Sequence, residues 1–188
     1  MRPLDRRTWL LHIGTALAAA GGAWPARAQS VPNIELVKLQ AQKSDDGLVL
    51  SYQVRFDLPK EVEDALMKGL AVVFVARAEI FTERWYWSDK SRGVVERRWR
   101  LAYQPLSRHW RVSFDGLSQS YDGLAQALAI IQRNGRWRLA DNPSDDESSY
   151  LEFSFELDRN ELPRPLQIGL SDQHEWHLQT LRRIPLPR

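Results

Sequence analysis

The chain has 188 residues, of which 43% are hydrophobic and 27% charged, with a formal net charge of +2 and no cysteine. The absence of cysteine excludes disulfide bonds, thiolate catalysis, cysteine-ligated zinc and a lipid anchor carried on an N-terminal cysteine. A chain of this length is expected to form one domain, since a core of this size buries roughly 70% of the unfolded surface.

The N-terminal segment has the three parts of a secretory signal. Arginines open it, and an apolar stretch follows from Trp9 to Ala20. This stretch is too short to span a bilayer core of roughly 30 Å. Ala26 and Ala28 then form a small-x-small cleavage motif before Gln29. The pattern predicts a cleavable signal peptide over residues 1–28 and a single exported domain over residues 29–188.

Removal of the signal peptide would change the charge of the chain. Lys plus Arg fall from 26 to 22 and Asp plus Glu from 24 to 23, so the net charge moves from +2 to −1. A near-neutral domain is poorly suited to a polyanion, so we expect no nucleic-acid partner. Arg6-Arg7 partly fits a twin-arginine signal, but Asp5 before the pair departs from it. We therefore expect a periplasmic protein, exported by the general secretory route and without stable membrane insertion.

The exported domain begins with strand-like patterns. Residues 34–43 and 48–57 are predicted strands, joined by the turn residues 45–47. In the second strand apolar residues occupy every other position: Leu48, Leu50, Tyr52, Val54 and Phe56. Pro59 to Lys68 has the charge pattern of a short helix that Gly69 can end, with Val62, Ala65 and Leu66 on its inner side. A strand is predicted from Leu70 to Thr82.

The rest of the chain continues with short strands. They are predicted at 84–87, 94–103, 109–114, 137–141, 149–157, 166–170 and 175–181. A second helix is predicted from Ser120 to Arg133, ended by Asn134-Gly135. Regular alternation of strand and helix is missing. The expected fold is mainly β, an antiparallel β-sandwich-like domain with two short helices inserted.

Aromatic and basic residues are interleaved between residues 84 and 111. Alternation places Trp99 on one strand face and Arg98 and Arg100 on the other, so the favoured interpretation is that aromatics fill the core and arginines line a solvated face. Adjacent aromatics cannot all be interior unless both faces of the strand are covered. The alternative is therefore an exposed platform for sugar rings or peptide. Its binding candidates are Trp85, Tyr86, Trp87, Arg98 and Arg100.

Two other clusters contain potential metal ligands. His174 and His177 point to opposite faces if they lie on a strand, and Asp141–Glu147 lacks the glycine and spacing of a helix-loop-helix calcium site. We therefore expect no metal and no cofactor. Neither a nucleophile elbow nor a phosphate loop is present, so no catalytic residue is assigned and no enzyme is expected. A hydrolase that uses His109 or His174 with nearby acids stays as an alternative.

Several segments together resemble a known family. They are the helix of residues 59–69 leading into an apolar strand, Arg84-Trp85-Tyr86-Trp87, residues 100–103 with Leu106 and Val112, and the helix start at 120–128. In these the chain resembles an uncharacterised family of exported proteobacterial proteins catalogued as domain of unknown function 4390, over most of the exported domain.

The resemblance implies an accessory protein of the cell envelope whose partner is a membrane sensor kinase. It supplies no catalytic residues. Two hypotheses of function follow. The first is a periplasmic module that acts by protein–protein contact, and the second is a β-sandwich that binds a glycan or small ligand through surface aromatics.

Overall fold

The structure, a computed structural model, describes residues 34–45, 47–141, 149–162 and 176–187. The predicted signal peptide with its cleavage site, the predicted strand at 166–170 and His174 lie outside the described residues. Of the acidic segment Asp141–Glu147, the structure describes Asp141.

Nine strands, two helices and a single 3-10 turn make up the regular structure of the described residues. In chain order they are β1 (Glu35–Ser44), β2 (Gly47–Arg55), α1 (Lys60–Met67), β3 (Ala71–Thr82), β4 (Lys90–Gln104), β5 (His109–Phe114), β6 (Leu117–Tyr121), α2 (Leu124–Ile131), β7 (Arg133–Ala140), β8 (Ser149–Leu157), the 3-10 turn (Arg159–Glu161) and β9 (Gln179–Pro185).

The strands form two sheets in which every neighbouring pair is antiparallel. The smaller sheet has the order β1-β2-β7, and the larger has the order β6-β5-β4-β3-β8-β9. Aromatic side chains join the two sheets, because Tyr52 of β2 packs on Phe153 of β8 with ring centroids 4.9 Å apart. The predicted mainly β, sandwich-like fold with two helices is confirmed.

The predicted faces of the strands form this core. The alternating apolar residues of β2 are buried, and so are the inward residues of β3 and β4: Val72, Phe74, Ala76, Ala78, Trp99 and Leu101. Burial of a Val, Leu or Phe side chain contributes about 1.5–3 kcal/mol. Helix α1 buries Val62, Ala65 and Leu66, as predicted. Gly69 ends it with a φ of 84°, a conformation that favours glycine.

Several boundaries in the second half differ from prediction. Helix α2 begins at Leu124 rather than Ser120, because Ser120 belongs to β6, a strand that was not predicted. Asn134-Gly135 lies inside β7 and does not end the helix, whose last residue is Ile131. Leu50 pairs with Trp137 and Tyr52 with Asn134, so β7 carries one extra residue there, and glycine suits such a bulge. Strand β9 begins at Gln179, four residues later than predicted.

The predicted strand at residues 84–87 is wrong. Strand β3 ends at Thr82, which pairs with Lys90 at the start of β4. Residues 83–89 therefore form the loop of a β-hairpin. Alternating aromatic residues have a high strand propensity, but here no neighbouring described strand pairs with them.

Candidate functional site

Residues 83–89, which we call the aromatic loop, expose three adjacent aromatic side chains. Trp85 is 85% exposed, Tyr86 66% and Trp87 76%. The favoured interpretation, that these aromatics fill the core, is wrong for this segment, whereas Trp99 and Trp110 are buried as it predicted. Contiguous exposed apolar side chains are uncommon on monomeric proteins and mark contact sites.

The aromatic loop is held by a carboxylate at its C-terminal end. The Tyr150 hydroxyl on β8 donates a hydrogen bond to Asp89 Oδ2 at 2.8 Å. The other oxygen, Oδ1, accepts from the backbone N–H of Arg84 at 3.3 Å. One side chain thus closes the loop on itself and ties it to the neighbouring strand.

Stacked side chains support this anchor from below. The Phe81 and Tyr150 rings stack with centroids 5.2 Å apart and an interplanar angle of 16°. The Arg183 guanidinium of β9 lies 5.2 Å from the Tyr150 centroid and donates from Nε to Glu152 Oε2 at 2.6 Å. The hydrogen bond to Asp89, above other causes, raises the pKa of Tyr150, because the neutral hydroxyl is the form that donates.

The exposed rings form a compact apolar patch with a charged rim. The Trp85 and Tyr86 ring centroids are 3.6 Å apart, with the planes tilted by 46°. The neighbouring residues Glu83, Arg84 and Lys90 are exposed. An aromatic centre inside a polar rim is the composition of protein interface hot spots.

The two predicted arginines lie away from the aromatic loop. Arg98 and Arg100 on β4 pair in register with Val75 and Val73 on β3. Thr82, where β3 meets the loop, is nine residues beyond Val73, a separation of roughly 30 Å along the strand. The predicted set of five binding residues is therefore divided between two ends of one hairpin.

Both arginines line a shallow groove of about 230 Å³ on the outer face of the larger sheet. Its walls also include Val73, Ser113 and Glu161. Arg98 is balanced by acids, because Nη1 lies 3.4 Å from Asp158 Oδ2 and 3.5 Å from Glu161 Oε1. These arginines line a solvated face, as the sequence predicted, and the mixed charges do not define a ligand.

Of the candidate histidines, the structure describes His109 and His177. His109 Nε2 lies 3.2 Å from Asp122 Oδ1, and Nδ1 lies 2.6 Å from the Ser107 carbonyl oxygen. Both ring nitrogens thus already face oxygen atoms. His177 contacts Arg159. Among the described residues no group of three or more potential metal ligands is found.

No sequence signal points to the Tyr150–Asp89 anchor, since the two residues are 61 positions apart. A local signal for the loop itself was present. Ser88-Asp89 directly follows Trp87, and such residues favour turns over strand interiors. The aromatic propensity of the preceding residues outweighed that signal in the prediction.

Comparison with known proteins identifies a family match. A family model described as Domain of unknown function (DUF4390) matches residues 31–185. No curated protein matches the chain, and no solved structure matches it. Among the described residues, neither helix has the length and apolar character required to cross a bilayer.

Proposed function

The chain belongs to the DUF4390 family, and from that premise we propose that it is a soluble periplasmic interaction module that binds a protein partner in the cell envelope through the aromatic loop. Its action is contact rather than catalysis. The observation that carries the proposal is the exposure of Trp85, Tyr86 and Trp87 on a loop that Asp89 holds in place.

The size of the patch supports a macromolecular partner. Large aromatic side chains bury about 150–250 Å² each, so three of them offer roughly 500 Å² of contact surface. That is comparable to the largest apolar patches of typical monomers, which are often functional. Because the loop is anchored at Asp89, ordering it on binding costs little conformational entropy.

The compartment is the second part of the proposal. It rests on the signal-peptide pattern of residues 1–28 and on the near-neutral charge that its removal leaves. The family match supports the same division, because it begins at residue 31, three residues after Ala28. From the resemblance to this family we propose that the partner is the outer portion of an envelope sensor kinase.

Capture from an envelope extract tests the proposal. The wild-type protein and Trp85→Ala/Trp87→Ala are compared by quantitative mass spectrometry of the proteins they retain. Leu106→Ala is the matched control, since Leu106 is also a fully exposed apolar residue but lies in the β4–β5 turn. We expect the wild type and Leu106→Ala to retain a membrane protein that the double variant does not retain. Recovery of the same proteins in equal amounts by all three would exclude the aromatic loop as the contact surface.

A second candidate function is the binding of a glycan or small ligand. It is favoured by one observation, the exposure of two separate indole faces at Trp85 and Trp87, on which sugar rings could stack. Tryptophan fluorescence of the wild type and of Trp85→Ala/Trp87→Ala, titrated with soluble cell-wall fragments, distinguishes the two functions. A saturable change confined to the wild type supports glycan binding, and a flat response across the panel excludes it.

A further inference from the structure

The four strands at the sheet edges of the described structure differ in how they are protected against pairing. Exposed edges are normally blocked by charges, prolines or bulges. Strands β1, β7 and β9 carry such features: Lys38, Lys43 and a bulge in β1; Arg133, Arg136, Arg138 and bulges in β7; Arg182, Arg183 and Pro185 in β9. Strand β6 has the sequence Leu-Ser-Gln-Ser-Tyr and a regular register, with no charge and no proline.

The geometry of the β5–β6 hairpin shows which main-chain groups of β6 are directed outward. Asp115 and Gly116 form its two-residue turn with φ angles of 48° and 76°, and Phe114 pairs with Leu117 across it. In such a hairpin the pair that flanks the turn is hydrogen-bonded, and bonded positions then alternate. The N–H and C=O groups of Ser118 and Ser120 therefore point away from β5.

Beyond β6 the described residues contain no further strand of the sheet. Four of its five residues are exposed, and Leu117 is among the most exposed apolar side chains of the chain. Two donors and two acceptors of the main chain thus face outward along an accessible, uncharged edge.

An acidic residue stands at each end of this edge. Asp115 precedes β6 and Asp122 follows it, and both are exposed. His109 contacts Asp122, whose side chain is still 87% exposed. The cation on β5, Arg111, is turned toward β4, where the Gln104 amide oxygen, in the orientation that satisfies both groups, accepts from it at 3.2 and 3.3 Å. Arg97 of β4 interacts electrostatically with Asp115 but is itself partly buried.

We propose that β6 is a second docking surface, to which an extended segment of a partner protein adds as a further strand. The segment that fits is about five residues long and uncharged, with Lys or Arg beyond each end. Main-chain bonds to Ser118 and Ser120 supply the pairing, as in other cases of strand addition. The basic flanks are selected by Asp115 and Asp122 through charge complementarity.

A second copy of this chain fits the same edge less well. Antiparallel self-pairing about Gln119 would match Ser118 with Ser120 of the other copy. It would also bring Asp115 of each copy beside Asp122 of the other, at both ends of the pair. Asp115 would lie opposite Gly123 and so one position from Asp122 of the other copy, close enough for the like charges to destabilise the pairing, so the acids favour a basic segment over self-association.

This surface is independent of the aromatic loop. Strand β5 pairs with residues 99–104 of β4, whereas the loop precedes Lys90 at the other end of that strand. The proposal goes beyond the proposed function, and either surface can fail while the other binds.

Amide hydrogen exchange by NMR tests the proposal on the full exported chain. The probe is a synthetic peptide with the core Thr-Val-Thr-Val-Thr and two lysines at each end. We expect saturating peptide to slow exchange of the Ser118 and Ser120 amides at least tenfold, with no change at residues 84–88. The same core flanked by glutamates, and a lysine-flanked core with a central proline, are the matched controls and should give no protection.

Two variants separate the main-chain and charge contributions. Ser120→Pro removes an outward N–H that β5 does not use, so it should abolish peptide binding. Asp115→Asn/Asp122→Asn leaves the main chain intact and should weaken binding of the lysine-flanked peptide about tenfold. This second variant tests the proposal even if Ser120→Pro does not fold. Three results would overturn the proposal: no protection of the Ser118 and Ser120 amides at millimolar peptide, equal protection by the glutamate-flanked peptide, or protection of these amides in a dimer of the protein without any peptide.

Discussion

The Tyr150 hydroxyl donates a 2.8 Å hydrogen bond to Asp89 Oδ2, and this contact fixes the aromatic loop to the strand beside it. The chain has no cysteine with which to cross-link the loop. The loop is instead held by the hydrogen bond from Tyr150 to the Asp89 carboxylate. Hydrogen bonds to an ionised carboxylate are stronger than those between neutral groups.

Removal of the hydroxyl should loosen the loop without unfolding the domain. In Tyr150→Phe the ring stack with Phe81 stays, while Asp89 loses its partner on β8. We expect amide exchange at residues 84–88 to rise severalfold and partner affinity to fall, with thermal unfolding almost unchanged. Tyr103→Phe, a core-facing change in β4, is the control. Unchanged exchange in Tyr150→Phe would show that the loop is ordered by other contacts.

Glu79 should contribute to the pH dependence of stability. A hydrogen bond from Arg77, at 2.8 Å, and one from Ser91 hold the pKa of Glu79 below its usual value. Its contribution is therefore present above the ordinary pKa and is lost as pH falls through the lowered one. Because Arg77 is half exposed, we expect Glu79→Gln to cost only about 0.5 kcal/mol at neutral pH.

Urea unfolding between pH 7 and pH 3 measures this contribution. The difference between wild type and Glu79→Gln should shrink toward zero at the acid end. Glu156→Gln, a change on the same outer face, serves as control. A difference that grows as pH falls would have the wrong sign for a lowered pKa.

The hydroxyl of Tyr52 is buried without a hydrogen bond, within the described part of the chain, that would offset the loss of its hydration. Tyr52 is 2% exposed, and its hydroxyl has no hydrogen-bond partner among the described residues. Burial raises the pKa of Tyr52, since the phenolate would be poorly solvated there. Tyr52→Phe should stabilise the domain by about 1 kcal/mol, measured by urea unfolding against Tyr121→Phe. A loss of stability would mean that a bound water satisfies the hydroxyl.

Gly47 should tolerate no side chain. It has a φ of 110°, and a Cβ built there would lie 2.4 Å from the Ala140 carbonyl oxygen of β7. Gly47→Ala combines backbone strain with a steric clash, so we expect a loss of at least about 2 kcal/mol. Gly93→Ala is the matched control, because nothing lies within 4 Å of its Cβ position. Equal thermal stability of the two variants would contradict the close approach of β2 and β7.

The tryptophans should divide sharply by their effect on stability. Trp99 is 3% exposed and stacks on Phe114, whereas Trp85 is 85% exposed. Trp99→Ala should cost about 3–5 kcal/mol. Trp85→Ala should change the free energy of unfolding by less than about 0.5 kcal/mol while weakening partner capture. A large loss for Trp85→Ala would place its indole in the core.

Much of the fold was predictable because one face of most strands is buried. Apolar residues at every second position in β2 and β3 reflect this one-sided burial, and so they predicted both strands and their inner faces. Helix α1 was predictable for a similar reason, since its charges and its terminal glycine are local features.

The candidate site was predictable only as a set of residue types. Trp85, Tyr86 and Trp87 have the propensity of a strand, and only the pairing of Thr82 with Lys90 excludes them from the sheet. Strand β6 escaped prediction because its exposed, polar residues give no alternation of burial. The separation of Arg100 from the aromatic loop follows from the register of the β3–β4 hairpin, which depends on where its loop lies.

The pairing of β2 with β7 also constrains the order in which the molecule folds. Ser51 Oγ donates to the carbonyl oxygen of Gly135, 84 residues farther along the chain. The β1–β2 hairpin can form early, but the smaller sheet is complete only after β7, which follows α2 in the chain, has paired with β2. Such distant partners slow folding to milliseconds or longer, so the nascent chain spends that time with one side of β2 uncovered. Under the export proposed above, in which the chain would cross a membrane unfolded, slow closure of the smaller sheet would favour transit over premature folding.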